Sequence, residues 1–157
     1  MNSDPEKVAA IANKYGCSRD SLVSILQDVQ SEYRYLPEDA LRAVAHALDL
    51  PLIQVYAVAT FFKAFSLKPR GEHIVTVCLG TACHVRGAPA VLDELKRRLG
   101  VDRGETTKDM RFTLETVNCL GACALGPIVL VDSQYHGQVG PAKVKTILKK
   151  YKKASKD

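Results

Sequence analysis

The chain has no run of about 18 apolar residues, so no transmembrane helix is expected. Its opening, Met1-Asn2-Ser3-Asp4-Pro5-Glu6, lacks a basic segment followed by an apolar stretch. That argues against a secretory signal and makes a cytoplasmic protein the expectation. There is no G-x-G-x-x-G and no P-loop, the glycine-rich cradles that hold nucleotide phosphates, so the chain is not expected to bind NAD(P)H itself. No two cysteines are spaced C-x-x-C, which a thioredoxin-type dithiol needs at a helix start. Basic residues outnumber acidic ones, 22 to 17, for a net charge of +5. Much of that excess lies in Lys143, Lys145, Lys149, Lys150, Lys152, Lys153 and Lys156. No aromatic stacking platform or basic recognition motif accompanies these lysines, so nucleic acid is not an expected partner. They read as a solvated helix face and tail, with docking to an acidic protein surface as a middle case.

What is present fits a small globular protein. A chain of 157 residues with 46% hydrophobic content can bury a core as one domain, or as a helical module on a compact domain. A first helix is expected over about 5–15, with Pro5 near its start and Gly16 as its stop. Ser18 is expected to cap a second, with Leu22, Ile25, Leu26, Val29, Tyr33 and Leu36 at helical spacing. Pro37 and Pro51 open a third and a fourth. These make a small bundle over 1–68. Phe61, Phe62 and Phe65 at its end are expected to be core between modules. Ser66-Leu67-Lys68-Pro69-Arg70-Gly71 reads as a linker.

A second module is expected over 69–157, in the order β-α-β-β-β-α. Strands are expected over 73–78, 112–118, 127–132 and 135–139, with a helix over about 87–99 and another opening at Pro141. Residues 101–109 read as polar and exposed. The run Ile128-Val129-Leu130-Val131 suggests a buried sheet centre. The whole is an α+β chain, a helical bundle followed by an α/β domain.

Five cysteines is an odd number, and four of them fall in two short loops, Cys78-Leu-Gly-Thr-Ala-Cys83 and Cys119-Leu-Gly-Ala-Cys123. That pattern argues for a metal site in a reducing compartment rather than a disulfide scaffold. Cys17 reads as an incidental thiol. Each loop follows a β-like run, carries no charge, and is built of small residues that let backbone N–H groups approach a bulky anion. Four thiolates suit an iron–sulfur cluster or a structural zinc. The wide first spacing leans towards [2Fe–2S], and spacing alone leaves zinc open. A [2Fe–2S] cluster with four thiolates is anionic and calls for N–H donors and helix N-termini around it. Gly80, Thr81, Gly121 and Ala122 are the expected donors, with a helix starting near Gly87 or Ala88. Arg86 stands beside that helix, to hydrogen-bond near the cluster or meet a partner, or as an ordinary structural or solvated arginine. His84 is expected to lie outside the ligand set. His46, His73 and His136 sit in no motif.

Three segments carry a resemblance to a known family. Cys78-Leu-Gly-Thr-Ala-Cys83-His84-Val85-Arg86-Gly87-Ala88 and Cys119-Leu-Gly-Ala-Cys123-Ala124-Leu125-Gly126-Pro127 resemble the thioredoxin-like [2Fe–2S] ferredoxins, as does Val55-Tyr56-Ala57-Val58-Ala59-Thr60-Phe61-Phe62 upstream. Gly126 departs slightly, since many relatives have Ala before the Pro. The resemblance implies a thioredoxin-like second domain in which Cys78, Cys83, Cys119 and Cys123 ligate the cluster. It implies an electron-transfer subunit of an NAD(P)H-linked oxidoreductase. The family provides the small [2Fe–2S] subunit of NADH:quinone oxidoreductase (complex I), and its counterpart in NAD(P)-linked or electron-bifurcating hydrogenases and formate dehydrogenases. The implied partners are a flavoprotein subunit that holds FMN and NAD(P)H, and further iron–sulfur subunits. The competing reading of the cysteines is a structural zinc-binding interaction module.

Overall fold

The computed structural model describes residues 3–152, with only the backbone of Lys152. Lys153 and Lys156 lie outside the described residues. Two compact units divide at residue 69, Met1–Pro69 and Arg70–Asp157. Among the described residues no helix is long and apolar enough to cross a membrane.

The first unit is helical: α1 (Pro5–Lys14), α2 (Leu22–Tyr33), α3 (Glu38–Ala47) and α4 (Leu52–Phe61). Asp4 caps α1 by accepting the Glu6 N–H at 3.0 Å, so the cap precedes the proline. Gly16 takes a left-handed φ of +62° just past α1. Ser18 starts a single 3-10 turn, Arg19–Ser21, without a side-chain cap, and α2 begins after it. Val8, Ala12, Leu22, Ile25, Leu26, Val29, Leu41 and Val44 form one buried apolar cluster. Helix α4 buries only Val55 and Ala59. Phe65 is buried, but Phe61 is 81% exposed and Phe62 41% exposed. The aromatic group is therefore not all core. Helix α4 ends at Phe61, and the chain leaves in extended conformation at Phe62. Ile53 and Tyr56 are exposed as well.

The second unit is a five-stranded mixed sheet: β1 (His73–Cys78), β2 (Glu105–Thr106), β3 (Phe112–Val117), β4 (Val129–Val131) and β5 (Gln134–His136). The strand order is β2-β3-β1-β4-β5. Strands β1 and β3 run parallel, with Val75 opposite Leu114 and Cys78 opposite Val117. Between them the chain forms α5 (Thr81–Val85) and α6 (Ala88–Leu99), the crossover that a parallel pair requires. Gly100 takes a left-handed φ at the end of α6. Strands β4 and β5 form the expected hairpin, turning at Asp132 and Ser133. The sheet centre is β1, not the Ile128–Val131 run, because β1 has β3 on one side and β4 on the other and is third of the five strands. The short edge strand β2 pairs with β3 inside the segment expected to be merely polar.

Alternation sets the faces of β1. Val75 and Val77 join Leu114, Val129 and Val131 in one buried cluster. Helix α6 adds Val91, Leu92 and Leu95 to it, and α7 (Pro141–Lys152) adds Val144, Ile147 and Leu148. On α7, Lys143, Lys145, Lys149 and Lys150 face solvent. His73 and His136 are structural ties in this unit. His73 Nδ1 meets Asp132 at 2.8 Å, and His136 Nε2 meets the Tyr151 hydroxyl at 3.3 Å. His46 is exposed on α3.

Leu114 is fully buried at the β1–β3 junction. Leu114→Ala should destabilise the protein by about 2–5 kcal/mol, through lost burial and the cavity it leaves. Denaturant unfolding of the full chain measures this, and a loss under about 1 kcal/mol would show that the junction is not tightly packed.

Candidate metal centre

Parallel pairing decides where the two cysteine loops go. Both leave the same end of neighbouring strands. Cys78 is the last residue of β1, and Cys119 follows β3 by two residues. Leu79 N–H donates to Val117 O at 2.8 Å, and Cys78 N–H donates to Ile128 O at 3.1 Å, so β1 holds the second loop at both ends. Gly80 passes so close to that loop that a Cβ on it would stand 2.4 Å from the Asn118 carbonyl oxygen.

The four thiols converge. Cys78 interacts with both Cys83 and Cys119, and Cys119 and Cys123 lie 3.9 Å apart. Two thiolates on one tetrahedral metal at bond lengths near 2.3 Å stand roughly 3.7 Å apart, so this spacing suits a shared metal. Among the described residues no group of three or more His, Cys, Asp or Glu side chains forms a site for a single metal ion. Cys78 and Cys83 are buried, in a small cluster with Ala88 and Ile128. Cys119 and Cys123 are exposed.

Backbone N–H groups point at the sulfurs. Burial disfavours the Cys78 thiolate, yet N–H donation from Gly80 and Leu120, with contacts to Cys83 and Cys119, holds this thiol below its ordinary range. Burial, and then the Cys78 thiol, push Cys83 up, against donation from Ile128 N–H. Cys119 pushes Cys123 up. Gly121 N–H donates to Cys119 Sγ at 3.3 Å. Of the expected donors, Gly80 and Gly121 reach sulfur. Leu120 and Ile128 also donate, although nothing in their side chains marks them for it. Cys83 and Cys123 therefore resist ionising beside their neighbours, and a cationic metal core would remove that conflict by holding its ligands deprotonated. The donor set therefore fits an iron–sulfur cluster.

The helix expected to start near Gly87 or Ala88 is α6, which begins at Ala88, but the helix that carries Cys83 is a further one, α5, which starts at Thr81. Gly80 before α5 was the available signal, since glycine is tolerated as an N-cap. A 3-10 turn, Cys123–Leu125, closes the second loop before the cis Gly126–Pro127 bond. A Cβ at Gly126 would stand 3.0 Å from Cys83 Sγ, so glycine leaves that sulfur room. The His84 side chain is exposed. Arg86 Nη1 donates to Cys123 O at 2.8 Å and to Ala124 O at 3.3 Å. Cys17 lies in the helical unit, bonded to Asn13 Oδ1.

The model of the thioredoxin-like [2Fe–2S] ferredoxin family matches residues 8–152. The chain belongs to that family. Thioredoxin-like [2Fe–2S] ferredoxins carry a [2Fe–2S] cluster, so the zinc reading falls away. The NADP-reducing hydrogenase subunit HndA of Solidesulfovibrio fructosivorans is 43% identical over 83% of this chain and 76% of its own length. The E 2 subunit of the NADH-quinone oxidoreductase of Rhizobium meliloti (strain 1021) is 35% identical over 96% of this chain and 90% of its own. Among solved structures, a chain of an NAD+-reducing [NiFe]-hydrogenase in the air-oxidised state matches 87% of this chain with a TM-score of 0.74. At 20% identity, and over 23% of the hydrogenase chain, that likeness is one of fold.

Replacing any one of Cys78, Cys83, Cys119 or Cys123 by Ala should abolish or badly destabilise the visible cluster absorbance, and Cys17→Ser should leave it unchanged. Bleaching by Cys17→Ser, with one of the four dispensable, would refute this assignment. Gly80→Ala should also cost most of the cluster, because the new methyl meets a backbone carbonyl. Gly140→Ala, with open space around it, is the matched control. Equal cluster content in the two variants would show that the close approach at Gly80 is not needed.

Proposed function

We propose that the chain is the electron-transfer subunit of a multisubunit NAD(P)H oxidoreductase, with Cys78, Cys83, Cys119 and Cys123 as ligands to one [2Fe–2S] cluster. The observation that carries this reading is the convergence of four thiols, and of N–H donors aimed at them, where the parallel strands β1 and β3 end. The cluster supplies one-electron chemistry when bound. The protein's part is to hold it, shield two of its sulfurs and set its surroundings. Burial of Cys78 and Cys83 keeps water from one side, while Cys119 and Cys123 lie at the surface where an electron can pass.

The relatives are named as subunits of a hydrogenase and of NADH-quinone oxidoreductases. The corresponding partners here are a flavoprotein that binds FMN and NAD(P)H, and further iron–sulfur subunits. The parent assembly is of the complex I, hydrogenase or formate dehydrogenase type. Exposed Val85 and Leu125 border the two loops, and exposed Ile53, Tyr56, Phe61 and Phe62 lie on and beside α4. These apolar surfaces suit a docked protein. Thiols free for ligation favour a reducing, cytoplasmic setting. The segment 69–157 contains all four ligands and is proposed as the cluster-holding domain, with 1–68 as the helical domain.

The full chain should accept an electron from dithionite, giving a reduced-cluster EPR signal, yet oxidise no NADH alone. Adding the flavoprotein should let NADH or NADPH bleach the cluster absorbance. Steady NADH oxidation by the purified chain without flavoprotein would overturn this reading.

A further inference from the structure

We propose that Arg86 is a positioning residue for the cluster, tying the helix that carries Cys83 to the backbone of Cys123 and placing a fixed positive charge there. The proposal rests on the ligand assignment above and goes beyond it.

Arg86 is the C-cap of α5, where its own N–H bonds Ala82 O. From that position its guanidinium crosses to the second loop and donates to two successive carbonyls, Cys123 O at 2.8 Å and Ala124 O at 3.3 Å. The other hydrogen bonds between the loops tie the first loop to Val117 and Ile128, which flank the second loop, and to the Leu120 N–H next to Cys119. The Cys123 end is different. It is exposed, and Arg86 supplies its tie to the helix that carries Cys83. A planar guanidinium can hold two neighbouring carbonyls at once, which an ammonium does less well.

Charge adds a second effect. Among the described residues Arg86 is in no ion pair with a carboxylate. Its charge is held instead against the backbone of the loop that carries Cys123, where a bound cluster would be anionic and would gain a further negative charge on reduction. A nearby cation stabilises the reduced form more than the oxidised form. Solvent weakens this at an exposed side chain, so the geometric and electrostatic effects must be read separately.

The test uses the full chain with Arg86→Lys, Arg86→Gln and Arg86→Ala. Two readouts apply: the midpoint potential from an EPR-monitored redox titration, and the rate at which a chelator bleaches the cluster. Arg86→Ala should lose its cluster roughly tenfold faster, as expected for losing hydrogen bonds from a charged donor. Arg86→Gln should shift the potential to more negative values. Arg86→Lys should keep the potential near wild type while losing the cluster faster than wild type. A purely structural role would not separate Lys from Gln in potential. Equal potentials and wild-type bleaching rates in the Lys and Gln variants would overturn the proposal, even if Arg86→Ala assembles no cluster. A wild-type chain without [2Fe–2S] absorbance would instead overturn the ligand assignment itself.

Discussion

The parallel pairing of β1 with β3 is the constraint on which the site depends. An antiparallel pair would send the two loops to opposite ends of the sheet and leave the cysteines apart. The parallel pair brings Cys78 and Cys119 to one end of the sheet, with Cys78 opposite Val117 in register. It also requires a crossover, and α5 and α6 are that crossover. The chain uses it twice, since α6 packs the sheet and α5 delivers Cys83. Strand β4 then returns antiparallel on the other side of β1 and fixes the exit of the second loop.

From this follows an uneven site. The two cysteines of the first loop are buried with Ala88 and Ile128, whereas those of the second are exposed. Closeness, rather than side-chain chemistry, does most of the shaping around the sulfurs. Gly80 and Gly126 stand where a Cβ would meet a carbonyl oxygen or a sulfur, and the donors to the thiols are main-chain N–H groups. Such donors are fixed by the fold and need no reorganisation when charge changes.

Much of this was legible in the residues. The two cysteine loops, the strand before each and the helical first unit follow from spacing, alternation and breaker residues, all local signals. What local signals could not reveal came from tertiary pairing. Glu105 and Thr106 form a strand because β3 offers an edge, though their own sequence is polar. The donors Leu120 and Ile128 depend on how the loops fold over one another. The short α5 hides inside a loop whose small residues read as irregular. Phe61 and Phe62 misled for a different reason: apolar residues that serve a surface look the same in sequence as those that serve a core.

The most direct measurement is the iron, acid-labile sulfide and zinc content of the full chain purified anaerobically. A chain that holds one [2Fe–2S] cluster should contain about two iron and two sulfide with no stoichiometric zinc. One zinc per chain with no iron or sulfide would contradict it.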